Sequence, residues 1–373
     1  MKKNSKIGNV MYGKPAKGCE QCIKGEKLVL FVTGLCDNRC FYCPISEKKF
    51  GKKAVYANEW KIKNDADLLT EARLTDAKGA GVTGGDPLIE TEKTCKYIKK
   101  LKKEFGKKFH IHLYTSPKPV TEEKLKQLYL AGLDEIRFHL NLNRPKEWNV
   151  VLLAKKYPWA VGVEIPSIPG TETQLVKLID FLEGKVDFLN LNELEFSDTN
   201  IAHYNLKRFE ENTITHSAKG SSELAEKIIR CAEKKKLNLS VYFCSTKLKN
   251  KVQMGQRIKR RAKNVALPFD KVTSEGMIRR GIVYLKELQP GFSYRKKLLS
   301  ANKKIVLKKL LAVKNQLKTL LKEVVVDDEK LRLIVSQKEL KISKDKVKAL
   351  GFVPAIVEEY PTKDSFEVEI DFL

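Results

Sequence analysis

The sequence predicts an α/β protein: a partial barrel of parallel strands followed by a small basic α+β domain. Strand-like apolar runs alternate with amphipathic helical stretches along residues 27–264, and polar or glycine-rich motifs follow several of these runs. Such alternation is typical of parallel βα units. From residue 265 onward, lysine- and leucine-rich helical sequence replaces the alternation. We therefore divide the chain into an N-terminal extension (1–26), a barrel (27–264) and a C-terminal domain (265–373).

Within the barrel, strands alternate with helices in six or seven units, a number that suits a closed barrel or an open part of one. The predicted strands are 28–33, 81–83, 109–115, 134–140, 160–165, 188–191 and 239–243. The predicted helices are 65–78, 91–105, 121–130, 146–156, 171–182 and 221–236. Thr171 with Gln174 has the spacing of a capping box at the start of the fifth helix. The polar segment 198–219 predicts a long loop before the last helix.

The C-terminal domain follows a basic segment at 246–263. Within this domain the sequence predicts one long helix at 292–322. Apolar residues recur there in steps of three and four, which marks one helical face. They are Val306, Leu310, Val313, Leu317 and Leu320. Short strands are predicted at 331–335 and 366–372, with a helix at 344–349 between them.

The charge balance is strongly basic, since 72 Lys and Arg against 46 Asp and Glu give a net charge of +26. Such a field attracts polyanions, and nucleic acid is the obvious candidate, although a lysine-rich proteome explains the excess equally well. No apolar run is long enough to cross a bilayer, and the basic N-terminus lacks the apolar stretch of a signal peptide. We therefore expect a cytoplasmic protein with no membrane partner.

Three cysteines follow the first predicted strand at the spacing C-x3-C-x2-C, namely Cys36, Cys40 and Cys43. In a chain without an export signal, clustered cysteines favour metal over disulfides. Thiolates are the standard ligands of iron–sulfur clusters, and a 4Fe-4S cluster needs four ligands where this loop offers three. The fourth iron would be open to a small molecule, as in catalytic metal sites. The alternative is zinc, which usually takes a second cysteine pair.

A glycine turn, Gly84-Gly85-Asp86-Pro87, closes the second predicted strand. Two glycines let the backbone approach a ligand closely, and carbonyl groups there can accept from an ammonium. Together with the cysteine loop, which carries Tyr42 before its third cysteine, this turn resembles the radical S-adenosylmethionine (SAM) superfamily. That family has the motif C-x3-C-x-aromatic-C and a Gly-Gly-Glu-Pro type of turn, where Asp86 replaces the glutamate.

The resemblance implies a 4Fe-4S cluster on the three cysteines and SAM bound to the open iron through its amino and carboxylate groups. One electron would split SAM into methionine and a 5′-deoxyadenosyl radical that takes a hydrogen atom from the substrate, so an electron donor such as ferredoxin or flavodoxin is implied as a partner. Tyr42 and the glycine turn are implied to contact SAM. For Ser116 and Arg137, at the third and fourth predicted strands, a SAM contact and a satisfied polar residue at the barrel mouth are both open.

Within the superfamily, both motifs look most like proteins related to pyruvate formate-lyase activating enzymes, over roughly residues 17–263. That resemblance transfers neither a substrate nor a catalytic side chain, because fold and cofactor do not fix function.

A second metal or cluster is predicted at Cys19 and Cys22, a C-x2-C pair before the first strand. Two thiolates are half a metal site, and zinc or merely adjacent thiols are the alternatives. The candidates to complete the ligand set are Cys244, Cys231, His203 and His216. Cys95 and Cys231 lie within predicted helices, where a buried small apolar side chain is the expected role.

Two segments, 246–263 and the helix around 303–318, are rich in Lys and Arg and contain no acid. Such cations neutralise phosphates, although a solvated helical face is their usual meaning. Our main hypothesis is therefore a radical SAM enzyme that modifies RNA, with tRNA as its partner. The alternatives are a radical SAM enzyme that activates or modifies a protein or peptide, of the glycyl-radical activase type, and a non-catalytic zinc- and RNA-binding module.

Overall fold

The computed structural model describes residues 2–4, 9–203 and 206–373. Its contacts divide the chain into two units, Met1–Arg257 and Ile258–Leu373. The helices are α1 (Lys17–Ile23), α2 (Asp65–Leu74), α3 (Thr91–Phe105), α4 (Glu122–Ala131), α5 (Val150–Ala154), α6 (Glu172–Leu182), α7 (Asp198–His203), α8 (Ser221–Lys234), α9 (Met254–Val265), α10 (Tyr294–Ser300), α11 (Lys303–Leu317) and α12 (Gln337–Ala349). The strands are β1 (Lys2–Asn4), β2 (Asn9–Tyr12), β3 (Lys27–Phe31), β4 (Tyr56–Ala57), β5 (Trp60–Lys61), β6 (Gly79–Thr83), β7 (His110–Thr115), β8 (Glu135–Phe138), β9 (Ala160–Ser167), β10 (Phe188–Glu193), β11 (Glu211–Asn212), β12 (Ser217–Ala218), β13 (Ser240–Cys244), β14 (Lys271–Val272), β15 (Ile278–Tyr284), β16 (Val324–Asp327), β17 (Arg332–Val335), β18 (Val353–Glu359) and β19 (Glu367–Phe372).

The first unit contains one large sheet in the order β1-β2-β13-β10-β9-β8-β7-β6-β3-β4-β5. All pairs from β13 to β3 are parallel. These are the seven strands that the alternation predicts, so the parallel α/β fold is confirmed. At the edges, β2 pairs antiparallel with β13, and β4 pairs antiparallel with β3. The segment before β3 therefore contributes two strands, β1 and β2, to this sheet.

The helices between the parallel strands cover one face of the sheet with apolar side chains. In β7, Ile111 and Leu113 are buried in the same core as Leu101 of α3 and Leu125 of α4. Side chains alternate along a strand, so His112 and Tyr114 face the opposite side. That opposite side carries most of the polar residues described below.

Several local predictions differ from the structure. Predicted helix 146–156 is a short 3-10 turn, Pro145–Asn149, followed by α5. The predicted loop 198–219 contains α7 and the short β11–β12 hairpin. The capping box at α6 is wrong, because the Thr171 hydroxyl donates to the carbonyl of Ile168 (2.8 Å) and makes no cap. At α4, by contrast, Thr121 accepts from the amide of Lys124 (3.2 Å) and caps the helix.

The second unit contains a six-stranded antiparallel sheet in the order β16-β17-β15-β18-β19, with β14 paired to β15. The predicted long helix 292–322 is wrong as a single element, because it breaks between α10 and α11. Asn302 sits at the break and caps α11 by accepting from the amide of Ile305 (3.3 Å), a role that asparagine prefers to a helix interior. Beyond the break the predicted apolar face is buried against the sheet through Val306, Leu310, Val313 and Leu317.

Within the described residues, no helix combines the length and apolar character that crossing a membrane requires.

Candidate active site

A cavity of about 650 Å³ lies on the polar side of the large sheet in the first unit. Every parallel strand contributes at least one side chain or glycine to its wall. In chain order these include Leu28, Gly81, His112, Arg137, Glu164, Asn190 and Tyr242. Because residues from all seven strands face one space, the sheet must curl around it, as in a partial barrel. The residues predicted to hold the cluster and SAM, together with Cys19 and Cys22, also line this cavity.

The three motif cysteines, Cys36, Cys40 and Cys43, lie in the loop between β3 and β4 and are half-buried free thiols on the cavity wall. Hydrogen bonds hold the loop at its base, where the amide of Gly34 donates to Lys52 (2.7 Å). Burial raises the pKa of Cys36 to about 11, although the amide of Asn38 donates to its sulfur (3.4 Å) and opposes that effect.

The glycine turn touches the cysteine loop backbone to backbone. The amide of Gly85 donates to Thr33 (2.7 Å), and the amide of Asp86 donates to Leu35 (2.8 Å). A Cβ added at Gly85 would lie 2.6 Å from the carbonyl carbon of Leu35 and still closer to its oxygen. Glycine is therefore required here by the close approach of two loops.

Asp86 uses its carboxylate to join this turn to the end of β7. It accepts from the amide of Leu88 (3.1 Å), from the Thr115 hydroxyl (2.9 Å), and from the amide (2.9 Å) and hydroxyl (2.7 Å) of Ser116. Burial raises its pKa, and these hydrogen bonds oppose the rise. The hydroxyl hydrogen of Ser116 is thus committed to Asp86, and the predicted contact of Ser116 with SAM stays a prediction.

Tyr42 reaches across the cavity to β8. Its hydroxyl and Nε2 of His139 are 2.8 Å apart, while Nδ1 of His139 is 3.0 Å from the carbonyl oxygen of Glu164. A carbonyl can only accept, so Nδ1 carries the proton and Nε2 accepts from the Tyr42 hydroxyl. Burial lowers the pKa of His139, which keeps the ring neutral.

Deeper in the cavity, Arg137 is nearly fully buried and paired with two carboxylates. Its guanidinium bonds Glu135 through Nε (2.6 Å) and Glu164 through Nη1 (2.7 Å). Burial acts to raise the pKa of Glu164. Arg137 and hydrogen bonds from the amides of Asn190 (2.8 Å) and Asn192 (2.9 Å) outweigh it and lower that pKa. Arg137 therefore faces the cavity with most of its donors already used, which favours a positioning role.

Helix α1 brings Cys19 and Cys22 to the same cavity, where Cys244 at the end of β13 also lies. The amide of Gly18 anchors α1 by donating to Glu135 (3.1 Å). Among the other predicted ligands, Cys231 does not line the cavity. His216 instead pairs with Glu211 (2.7 Å) in the β11–β12 hairpin. The side chain of His203 lies outside the described residues.

Across the described ranges, no three His, Cys, Asp or Glu side chains converge tightly enough to hold a single metal ion. A 4Fe-4S cluster takes one thiolate at each of several irons, so its ligands stand around a larger group. Cys36, Cys40 and Cys43 on one cavity wall fit that donor set, with the close backbone of the glycine turn beside them.

Sequence reasoning missed Glu135, Asn190 and Lys27. Lys27 contacts the carbonyl of His110 (2.5 Å) from a buried position, and burial lowers its pKa to about 7. Each lies inside a strand with no motif around it, so only the alternation of side chains along the strand could have indicated it.

Comparison with known proteins gives two sets of matches. The family model described as the radical SAM superfamily matches residues 30–159. A protein of Methanocaldococcus jannaschii, provisionally named a glycyl-radical enzyme activating enzyme, is 43% identical over 282 residues. That alignment covers 73% of this chain and 74% of the relative.

Solved structures give weaker matches. SuiB of Streptococcus suis matches with 12% identity and a TM-score of 0.44, over 59% of this chain and 49% of SuiB. The methyltransferase TsrM of Kitasatospora setae matches with 14% identity and a TM-score of 0.34, over 46% of this chain and 37% of TsrM. The chain thus spans about half or less of these proteins, and likeness at this level carries no argument about function.

Proposed function

The chain belongs to the radical SAM superfamily, whose enzymes use a 4Fe-4S cluster and SAM, and from that membership we propose that it activates a partner protein by taking a hydrogen atom from a glycine. The observation that carries the proposal is the relative of 43% identity, which is provisionally named a glycyl-radical enzyme activating enzyme. An electron donor of the ferredoxin or flavodoxin type completes the expected partners.

The roles of the side chains follow from their positions. Cys36, Cys40 and Cys43 would hold the cluster, and the backbone carbonyls of Gly84 and Gly85 would accept from the SAM ammonium. Bound together, cluster and SAM supply a carbon radical that can abstract hydrogen.

The surrounding residues position and shield that chemistry. The Asp86 hydrogen bonds keep the glycine turn in place, and the link from Tyr42 to His139 fixes the aromatic side chain of the motif. Residues from all seven parallel strands of the curled sheet would surround the reacting atoms.

Isotope transfer tests the substrate class directly. The source organism would be grown with glycine that carries two deuterium atoms on its α-carbon, and its protein fraction would be incubated anaerobically with reconstituted enzyme, SAM and a reductant. If a glycine loses an α-hydrogen, the 5′-deoxyadenosine formed should contain deuterium, and the protein fraction should show a glycyl-radical signal by electron paramagnetic resonance. The Cys36→Ala/Cys40→Ala/Cys43→Ala variant is the matched control and should produce neither signal.

The same experiment can test the RNA hypothesis. RNA from cells grown in heavy water would replace the glycine-labelled protein as the deuterated fraction. Deuterium transferred from that fraction, and not from glycine-labelled protein, would replace our proposal with the RNA hypothesis. Deuterium from neither fraction would contradict both.

The structure gives the RNA hypothesis no added support, because several cations of the basic segment have partners within the protein. Lys249 pairs with Glu195 (2.5 Å), and Arg257 pairs with Glu59 (2.7 Å). Arg261 is buried and donates to a backbone carbonyl. Cations that are already paired within the protein neutralise phosphate groups less effectively. A tRNA partner therefore stays a prediction from charge alone.

A further inference from the structure

A second group of three thiols lines the cavity, apart from the motif loop. Cys19 and Cys22 lie on α1, and Cys244 ends β13, more than 200 positions further along the chain. All three are free thiols. Cys19 and Cys244 also belong to one small apolar cluster with Tyr242 and Leu248. The fold thus gathers residues from the two ends of the first unit at one place.

Each of these thiols is supplied with hydrogen-bond donors or cations that favour a thiolate. The amide of Asn190 donates to the sulfur of Cys19 (3.2 Å), and the amide of Gln253 donates to the sulfur of Cys244 (3.5 Å). Asn190 is itself buried, and its own oxygen has no hydrogen-bond partner among the residues that the structure describes.

A cation also acts on each sulfur and favours its charged form: buried Arg137 on Cys19, buried Arg137 and Lys27 on Cys22, and half-buried Lys249 on Cys244. Burial opposes this effect and raises the pKa of all three thiols. An apolar wall made only for packing would not need amide donors directed at its sulfur atoms. Together the amide donors and the cations form the environment of thiolates that bind metal, since outer hydrogen bonds orient and tune such ligands.

We propose that Cys19, Cys22 and Cys244 bind a second iron–sulfur cluster in the same cavity as the first. A single metal ion is the poorer occupant, because among the described residues no three such side chains converge on one ion position. The motif cysteines share that feature, and the family places a cluster on them. Three thiolates around a wider space suit a cluster, whose irons each take one of them.

Metal content of cysteine variants tests this proposal without any substrate. After anaerobic reconstitution, Cys36→Ala/Cys40→Ala/Cys43→Ala should retain about half of the wild-type iron, together with acid-labile sulfide. Adding Cys19→Ala, Cys22→Ala and Cys244→Ala should remove the rest. The matched control adds Cys95→Ala and Cys231→Ala instead, and it should keep that iron, because neither residue lines the cavity.

Three outcomes would overturn the proposal: a motif variant with no iron, residual iron that survives loss of all three further thiols, or residual zinc in place of iron. If the six-fold variant does not fold, the half-buried Cys22 is changed alone in the motif variant, and its residual iron should fall as well. These readings are independent of the activase proposal, since deuterium transfer can fail while the second iron pool persists.

Discussion

Replacement of Gly85 by alanine should disrupt the contact between the glycine turn and the cysteine loop. The new Cβ would lie 2.6 Å from the carbonyl carbon of Leu35, and its neighbours are backbone atoms that cannot rotate away. Overpacking of this kind costs about 1–3 kcal/mol. The hydrogen bond from Gly85 to Thr33 lies at the same point, and its loss adds about 1 kcal/mol. We expect a total loss of about 2–4 kcal/mol in the free energy of unfolding.

The assays are thermal unfolding and anaerobic formation of 5′-deoxyadenosine. For a unit of this size the Tm should fall by roughly 5–10 °C. Because a displacement near 1 Å can cost about 10²-fold in rate, SAM cleavage should fall by a similar factor. Gly255→Ala is the control. It lies in α9, where no described residue comes within 4 Å of the added Cβ, and alanine in a helix should raise stability by about 0.5–1 kcal/mol.

The two substitutions are chemically identical, and the structure assigns them opposite signs. If Gly85→Ala matched the wild type in Tm and SAM cleavage, the close approach of the two loops would be wrong, and with it the placement of the glycine turn at the cluster.

Three further variants test the polar wall. Glu164→Gln should lower the free energy of unfolding at pH 7 by about 3 kcal/mol, because Arg137 loses one carboxylate. Because the folded pKa of Glu164 lies below its ordinary 4.5, wild-type stability should fall as the pH drops below about 4.5. In urea unfolding from pH 7 to 3, the stability of the variant should fall less. Lys27 has a folded pKa of about 7 against 10.5 in the unfolded chain, so wild-type stability should rise as the pH increases from 7 to 10.5. Lys27→Met should remove this rise. The same rise in the variant would contradict the lowered pKa of Lys27. Tyr42→Phe leaves His139 without its donor and should cost about 1 kcal/mol in unfolding while iron content stays at the wild-type level.

The parallel sheet could be predicted because its signals are local. Each strand is a short apolar run beside a helix with an apolar face, and all seven runs form strands of the parallel part of the large sheet. The cysteine loop and the glycine turn could be predicted for the same reason, since each motif consists of residues that are close together in the sequence. Helix ends depend on single side chains. The break at Asn302 between α10 and α11 was therefore not predicted, because the residues around it form a strongly helical pattern.

The deeper part of the site could not be predicted because its partners come from different strands. Arg137 stood out in the sequence, but its two carboxylates, Glu135 and Glu164, are identified only when the strands are in register. The same is true of Asn190, whose donation to Cys19 joins residues 171 positions apart. In the second unit, β15 and β18 were missed although β15 pairs with three strands and β18 with two, because charged residues at Arg279, Arg280 and Glu358 interrupt the apolar pattern.

The pairing of β2 with β13 also governs when the site can be assembled. Asn9 lies 233 positions before Tyr242, so β2, although it can pair with β1, cannot join β13 and the large sheet until almost the whole first unit has left the ribosome. Helix α1 follows β2 directly and carries Cys19 and Cys22 with it. Closure of so long a loop is slow and comes late in folding. The motif loop between β3 and β4 is complete much earlier, so during biosynthesis its three thiols are the first that could meet iron and sulfide, and the thiols of α1 reach the cavity last.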